Sequence, residues 1–275
     1  MESIPLTAAD GATSKARLFR AEEHAASLLV VPAMGVNAWA YTKFAQLLAQ
    51  AGITTLVMEL RGGESSSVQP RKGVDFGYAE LLDDVKQHVD ELKARAGGPV
   101  HLLGHSLGGQ MGVVGLSRWY EPGAKLIVIA AGTVHHEAYA GLERVGVFVG
   151  TQFAQGLARA LGVYPGHRLG FGGKQGKSLI VEWSNAARTG HFVSTRDGSL
   201  EQQLDVLAPE VLAIHVQGDT MAPRRTTELL VGKLTKANVK WVDLPPPEQP
   251  KRQNPHFRWM KDPANATREI AAFLR

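Results

Sequence analysis

The chain has 275 residues, of which 44% are hydrophobic, and this is enough to form one large globular domain. Its net charge is +4, and the basic residues are scattered in pairs such as Arg71-Lys72 and Arg224-Arg225, so no nucleic-acid partner is expected. The absence of cysteine excludes disulfides, thiolate nucleophiles and cysteine metal ligands. No apolar run approaches the roughly 18 residues of a membrane span, and residues 1–19 lack the order of a signal peptide, so we expect a cytoplasmic protein.

Short runs rich in valine, isoleucine and leucine alternate along the chain with longer stretches of helical period. Strands are predicted near residues 13–20, 27–31, 54–58, 99–103, 125–130, 211–216 and 238–243. Helices are predicted over AYTKFAQLLAQAG and YAELLDDVKQHVDELKARAGG, whose apolar residues recur three and four apart and which end on glycine. This order favours the α/β class, with a mostly parallel central sheet flanked by helices.

The alternation breaks between residues 133 and 205. This block contains an apolar stripe at Val149, Phe153, Leu157 and Leu161, followed by the glycine-rich YPGHRLGFGGKQG. We predict a mostly helical insertion, or lid, on a core formed by residues 1–132 and 206–275. The stripe is expected to face either the edge of the sheet or a pocket.

The stretch PVHLLGHSLGGQ combines a strand, a tight turn and the start of a helix. Its turn, Gly104 to Gly108, has the pattern G-x-S-x-G, which in this context is typical of a nucleophile elbow with Ser106 exposed above the sheet. The alternative is a glycine-rich turn in which Ser106 only caps the helix.

A serine hydroxyl needs a histidine base and a carboxylate that orients the histidine. With a nucleophile elbow, these residues are expected downstream in the order serine, acid, histidine. Asp219 follows the strand VLAIHV, and His256 follows the strand VKWVDL and a proline-rich loop, so they are the candidates. Asp219 has the alternative role of capping the helix that begins near Arg224.

The other nine histidines are assigned structural or solvent-exposed roles from their positions. His105 is expected to pack under the serine turn. His135 and His136 are not expected to form a zinc site, because adjacent residues rarely converge on one ion, and no metal or other cofactor is predicted.

An oxyanion hole formed by two backbone N–H groups is expected beside the serine. Leu107, at the start of the helix, is one candidate donor, and Met34, in the loop PAMGV after an early strand, is the other. Pro32 to Gly35 form only a turn in the alternative interpretation. Glu59 and Arg61, at the start of another loop, are expected to make structural hydrogen bonds.

These motifs resemble those of the α/β-hydrolase superfamily along nearly the full chain, and within it a group of bacterial serine α/β hydrolases. The resemblance is carried by PAMGV, GHSLGGQ, YPGHRLGFGG, the aspartate and proline of GDTMAP, and HFRW. It implies Ser106 as nucleophile, Asp219 as acid and His256 as base. Two residues depart from the family pattern: Thr220 replaces a common aspartate, and Pro255 replaces the glycine that usually precedes the histidine.

The sequence therefore predicts a serine hydrolase that cleaves a carboxylic ester with an apolar part through an acyl-enzyme. Phe153, Leu157 and Trp183 of the insertion are candidate pocket residues. There are two alternatives: an acyltransferase that uses the same three residues, and a ligand-binding protein that has the same fold but no catalytic activity. The sequence does not define the natural substrate or the oligomeric state.

Overall fold

The computed structural model describes residues 1–245 and 254–275, and the predicted proline-rich loop falls largely outside them. The strands are β1 (Glu2–Thr7), β2 (Thr13–Phe19), β3 (Ala26–Val31), β4 (Ile53–Val57), β5 (Val100–His105), β6 (Lys125–Ile129), β7 (Val163–Pro165), β8 (Lys174–Gly176), β9 (Val193–Ser194), β10 (Gly198–Ser199), β11 (Glu210–Val216) and β12 (Asn238–Leu244). The helices are α1 (Thr42–Gln50), α2 (Tyr78–Ala96), α3 (Leu107–Val114), α4 (Leu116–Trp119), α5 (Gly141–Leu161), α6 (Gly166–Leu169), α7 (Lys177–Thr189), α8 (Arg224–Val231), α9 (Pro255–Arg258) and α10 (Ala264–Leu274), with short 3₁₀ turns at Ala38–Tyr41 and His136–Ala138.

Eight strands form one sheet in the order β1-β2-β4-β3-β5-β6-β11-β12. Only β2 runs against its neighbours β1 and β4, and the pairs from β4 to β12 are all parallel. The structure therefore confirms the α/β class with a mostly parallel sheet. The sequence did not predict β1, which buries only Ile4 and Leu6 and carries Pro5, a residue that an edge strand tolerates.

Successive residues of the central strands point to opposite faces of the sheet. Leu28 and Val30 pack in a cluster with α1 and α10, whereas Leu29 and Val31 pack in a second cluster with α2 and α3. Because both faces are covered by helices, the central strands are apolar throughout rather than alternating.

Residues 133–205 connect β6 to β11 and contain α5, α6, α7 and two short hairpins, β7–β8 and β9–β10. Helix α5 packs on α7. Buried apolar side chains of these two helices, such as Ala154, Ala158 and Ile180, belong to the same cluster as α2 and α3. The segment therefore shares one core with the sheet.

The predicted apolar stripe is not the buried face of α5. This helix instead buries Thr151, Ala154, Gln155 and Ala158. Gln155 donates through Nε2 to the Val181 carbonyl of α7 (3.2 Å), so small and polar side chains make this helix contact. Val149 and Phe153 are 57% and 64% exposed. Of the two orientations expected for the stripe, the one that faces the sheet edge is therefore wrong.

The loop after β4 is held by the structural hydrogen bonds predicted for Arg61 and Glu59. Arg61 is buried and donates to both oxygens of Asp84 (2.7 and 2.8 Å) and to Asp10 (2.6 Å). Asp10 follows β1 and Asp84 lies on α2, so one guanidinium joins three segments of the chain.

Glu59 makes the folded protein sensitive to pH. Its buried carboxyl accepts a hydrogen bond from the Ala38 N–H (3.2 Å), and burial raises its pKa from 4.5 to about 7. Protonation therefore stabilises the fold fully below pH 4.5, and this contribution is lost as the pH rises through 7.

Glu59→Gln should gain stability relative to wild type between pH 4 and pH 8, by on the order of 1 to 3 kcal/mol in urea titrations. If the free energy of unfolding of Glu59→Gln and of wild type changed with pH in parallel, this prediction would be contradicted. Glu22→Gln, at an exposed position, is the control.

Candidate active site

Ser106 occupies the sharp turn between β5 and α3. Its backbone has φ 55° and ψ −116°, a conformation that is strained for any residue other than glycine. Its side chain makes no capping hydrogen bond to the helix, so the alternative of a purely capping serine is wrong. Instead the serine lines a cavity above the carboxyl ends of the strands.

The glycines around Ser106 are required by close packing. A Cβ on Gly104 would lie 2.2 Å from the Gly108 carbonyl oxygen, and one on Gly108 would lie 2.1 Å from the Val31 carbonyl oxygen. A Cβ on Gly109 would lie 2.4 Å from the Ala131 side chain. The turn can therefore form against β3 and β6 only with glycine at these positions.

Asp219, in the loop after β11, and His256, in the short helix α9, form a buried pair. The Nδ1 of His256 lies 2.8 Å from Oδ2 of Asp219, and the two residues are 2% and 4% exposed. The other oxygen of Asp219 accepts hydrogen bonds from the N–H groups of Met221 (2.8 Å) and Ala222 (3.0 Å), which fix the carboxylate. Asp219 thus caps its own loop and binds His256 at the same time.

This pairing determines which nitrogen of His256 is free. An ionised carboxylate only accepts hydrogen bonds, so Nδ1 of His256 carries the proton and donates a hydrogen bond to Asp219. Nε2 is buried and has no hydrogen-bond partner among the described residues. His256 lines the same cavity as Ser106, so a basic nitrogen and a hydroxyl share this space.

Met34 and Leu107 also line this cavity. Leu107 is the first residue of α3, where a helix has no internal acceptor for its N–H. Among the described residues, neither the Met34 N–H nor the Leu107 N–H donates to a protein acceptor. Two residues whose backbone N–H groups have no acceptor among the described residues therefore line the cavity with Ser106, and one of them starts a helix, whose positive end is at this point.

His105 connects the loop after β3 to the His256 segment. The Tyr41 hydroxyl accepts a hydrogen bond from the Ala33 N–H (2.9 Å) and lies 2.8 Å from Nδ1 of His105. A carbonyl oxygen only accepts, so Nε2–H of His105 donates to the His256 carbonyl (2.9 Å), and the neutral ring accepts the Tyr41 hydroxyl proton at Nδ1. Burial, together with His256, lowers the pKa of His105 well below its usual range, so the ring stays neutral.

The cavity has a volume of about 470 Å³. Of the described residues that line it, none is an aspartate, glutamate, lysine or arginine. Most of the wall is apolar, and the exceptions include Gln110, which accepts from the Tyr78 hydroxyl (2.8 Å) and donates to the Gly132 carbonyl (2.8 Å). The space therefore suits an uncharged molecule with a large apolar part.

The candidate pocket residues are only partly brought together. Phe153 and Trp183 line the cavity, whereas Leu157 does not. Leu157 lies one helical turn beyond Phe153, in the part of α5 that is close to β7 and outside the cavity. It is half-buried there. His135, His136, His167 and His191 are likewise not among the lining residues in the described chain.

The glycine-rich motif after α6 packs on the loop that contains Met34. A Cβ on Gly35, whose φ is 72°, would lie 2.6 Å from the carbonyl of Gly172, and one on Gly172 would lie 2.9 Å from the Met34 sulfur. Residues 170–173 therefore support the loop of one oxyanion-hole candidate, a function that the sequence did not indicate.

The sequence missed Tyr41, Gln110 and Tyr139 as residues around the site. Tyr139 donates through its hydroxyl to the Met221 carbonyl (2.9 Å), which holds the loop beside Asp219. Gln110 belongs to the GHSLGGQ motif, so its position one turn after Ser106 was an available signal. No sequence motif marked Tyr41, because its partner His105 lies in a distant part of the chain.

The sheet, the serine elbow and the position of Asp219 and His256 after late strands define an α/β hydrolase. Residues 22–162, just over half of the chain, match the family described as serine aminopeptidase, S33, and the chain belongs to this family.

Many solved structures have a similar fold over the full length of this chain. They include an esterase from Exiguobacterium antarcticum (15% identity, 99% of each chain, TM-score 0.64) and a hydrolase from Pseudomonas aeruginosa (21% identity, 99% of this chain and 98% of that one, TM-score 0.59). A bromoperoxidase from Bacillus anthracis is equally similar (15% identity, 99% of each chain, TM-score 0.63). At these identities the likeness shows the fold alone.

A search among curated proteins gave no significant match. Within residues 1–245 and 254–275, no helix combines the length and apolarity that a bilayer crossing requires.

Proposed function

We propose that the chain is a serine hydrolase that cleaves a carboxylic ester through an acyl-enzyme intermediate. The observation that carries this proposal is the buried Asp219–His256 pair, which leaves Nε2 of His256 unpaired in the cavity that Ser106 lines. A base, an orienting carboxylate and a strained serine in this arrangement suit nucleophilic catalysis.

In this mechanism, Nε2 of His256 takes the Ser106 proton as Oγ attacks the ester carbonyl carbon. Asp219 stabilises the imidazolium, and the N–H groups of Met34 and Leu107 bind the oxyanion. The carbon–oxygen bond to the alcohol breaks, and the alcohol leaves with the proton from His256. Water then attacks the acyl-enzyme and gives a proton to His256, which returns it to Ser106 as the acid leaves.

The wall of the cavity favours an ester over a peptide with a free amino terminus. An aminopeptidase must bind the ammonium group of its substrate, and a carboxylate is the usual partner for a buried cation. None of the described lining residues carries a carboxylate. An uncharged ester needs no such partner.

We also assign residues 133–205 the function of a lid that covers the site. Helix α5 supplies Phe153 and Ala154 to the cavity wall, and α7 supplies Trp183. The hairpin β7–β8 and the turn after α6 hold Phe171 at the cavity, where its ring lies 5.7 Å from that of Trp183. An apolar cover of this kind shields the apolar part of the ester from bulk water.

Labelling with a fluorophosphonate tests the proposal directly. We expect one label, on Ser106, and hydrolysis of p-nitrophenyl esters with uncharged acyl groups. A monosuccinate ester and an aminoacyl p-nitroanilide should react much more slowly, because each places a charge in an uncharged cavity. Faster cleavage of the anilide than of any ester would show a peptidase, and absence of both label and turnover would show a binding protein.

Tyr41→Phe should impair turnover, although Tyr41 does not line the cavity in which the ester would bind. The change removes the hydroxyl between the Ala33 N–H and His105, which leaves two buried polar groups unpaired and costs roughly 1 to 3 kcal/mol of stability. We expect kcat to fall by about 10- to 100-fold with little change in KM, since the loop of Met34 and the His256 segment shift slightly. The half-buried Tyr120→Phe is the control, and a loss of stability with unchanged kcat would contradict a positioning role.

A further inference from the structure

Helix α5 presents two glycines to the cavity. Gly146 and Gly150 both line it, together with Val147, Phe153 and Ala154 of the same helix. Residues four apart lie on one face of a helix, so the two glycines form a continuous, flat part of this wall.

Packing within the protein does not explain these glycines. A Cβ on either one would meet no atom within 4 Å, whereas a Cβ on Gly112 of α3 would lie 2.9 Å from two leucine side chains. Glycine is also among the least favourable residues in a helix interior. The pair therefore weakens α5 without making room for any described part of the chain.

The space in front of the two glycines is continuous with the reacting groups. His256 lines the same cavity, is 2% exposed, and has its Nε2 unpaired among the described residues. The lining between it and α5 is uncharged, with Met34, Tyr139 and Met221 among its side chains. A ligand that reaches Nε2 of His256 can thus extend an apolar group over Gly146 and Gly150.

We infer that Gly146 and Gly150 are specificity-determining residues that reserve space for a bulky, uncharged apolar group of the ester. This inference rests on the proposed function. It predicts an enzyme that prefers branched, cyclic or long-chain esters over short ones, because any larger side chain on this face of α5 would occupy the space of that group.

Leucine substitutions on α5 test the inference. Gly146→Leu and Gly150→Leu are compared with Gly156→Leu, which also lacks a neighbour within 4 Å but does not line the cavity. Leucine is a good helix former, so the melting temperatures of all three variants should equal or exceed that of wild type. The ratio of kcat/KM for p-nitrophenyl cyclohexanecarboxylate or octanoate to that for the acetate should fall about 10-fold or more at 146 and 150. At 156 the ratio should stay as in wild type.

A binding measurement separates this inference from the proposed reaction. Nile red, a neutral apolar dye, is titrated into Ser106→Ala alone and combined with each leucine substitution. Dye binding that is weaker by about 10-fold with leucine at 146 or 150, but not at 156, supports the inference. This holds even if wild type cleaves no ester, because in that case only the proposed reaction fails. Equal dye binding in all variants, or an unchanged ester ratio at 146 and 150, would overturn it.

Discussion

Ser106→Ala should abolish ester cleavage and fluorophosphonate labelling while the fold remains intact. The hydroxyl makes no capping hydrogen bond, and its removal leaves the glycine contacts of the turn unchanged. Loss of a serine nucleophile typically lowers the rate by about 10⁴-fold or more. Initial rates on an uncharged p-nitrophenyl ester, with a melting curve for each variant, measure both effects.

The exposed Ser3→Ala on β1 is the control for this variant and should keep wild-type activity. Turnover by a folded Ser106→Ala protein at more than about one hundredth of the wild-type rate would remove Ser106 from the mechanism, since residual activity without a nucleophile is far lower.

Asp219→Asn should lower kcat by about 10⁴-fold, although it changes only one side-chain atom. Oδ1 of residue 219 keeps its two backbone donors, so the amide nitrogen takes the place of Oδ2 beside His256. An amide N–H donates, so Nδ1 of His256 becomes the acceptor and Nε2 carries the proton. Nε2 can then no longer accept the Ser106 proton. His256→Ala should be comparably inactive.

The chain contains a matched control for this substitution. Asp243 on β12 lies 3.0 Å from Nδ1 of His215 on β11, a second aspartate–histidine pair on neighbouring strands. Asp243→Asn should therefore leave kcat unchanged, because this pair does not line the cavity. Activity retained in Asp219→Asn, or lost on substitution of His135, His136 or His191, would contradict the assignment of the base.

The sheet could be predicted because its central strands are buried on both faces. That burial gives unbroken apolar runs such as residues 27–31, which differ from the helical period of α1 and α2. Ser106 was also visible in the sequence, since the glycines that its turn requires lie within five residues of it.

The geometry around the cavity depends on contacts that the sequence pattern does not encode. The hydrogen bonds from Tyr41 to His105 and from His105 to the His256 carbonyl join residues from three separate segments. The sequence left the orientation of the α5 stripe open for a different reason: the contact of α5 with α7 uses small and polar side chains, so the apolar period does not mark the packed side of the helix, and Phe153 of the stripe lines the cavity.

The aromatic packing behind Ser106 has a consequence for the order in which the protein matures on the ribosome. The ring of Trp259 packs edge-on against those of Phe44 (5.2 Å) and His105 (5.2 Å), directly behind the serine turn. Translation produces β3, β5 and α1 well before Trp259, so a nascent chain that stops short of residue 255 has the serine but neither this packing nor His256. If the proposed mechanism holds, such a chain forms no acyl-enzyme, and Ser106 stays unreactive until the segment that carries His256 has emerged.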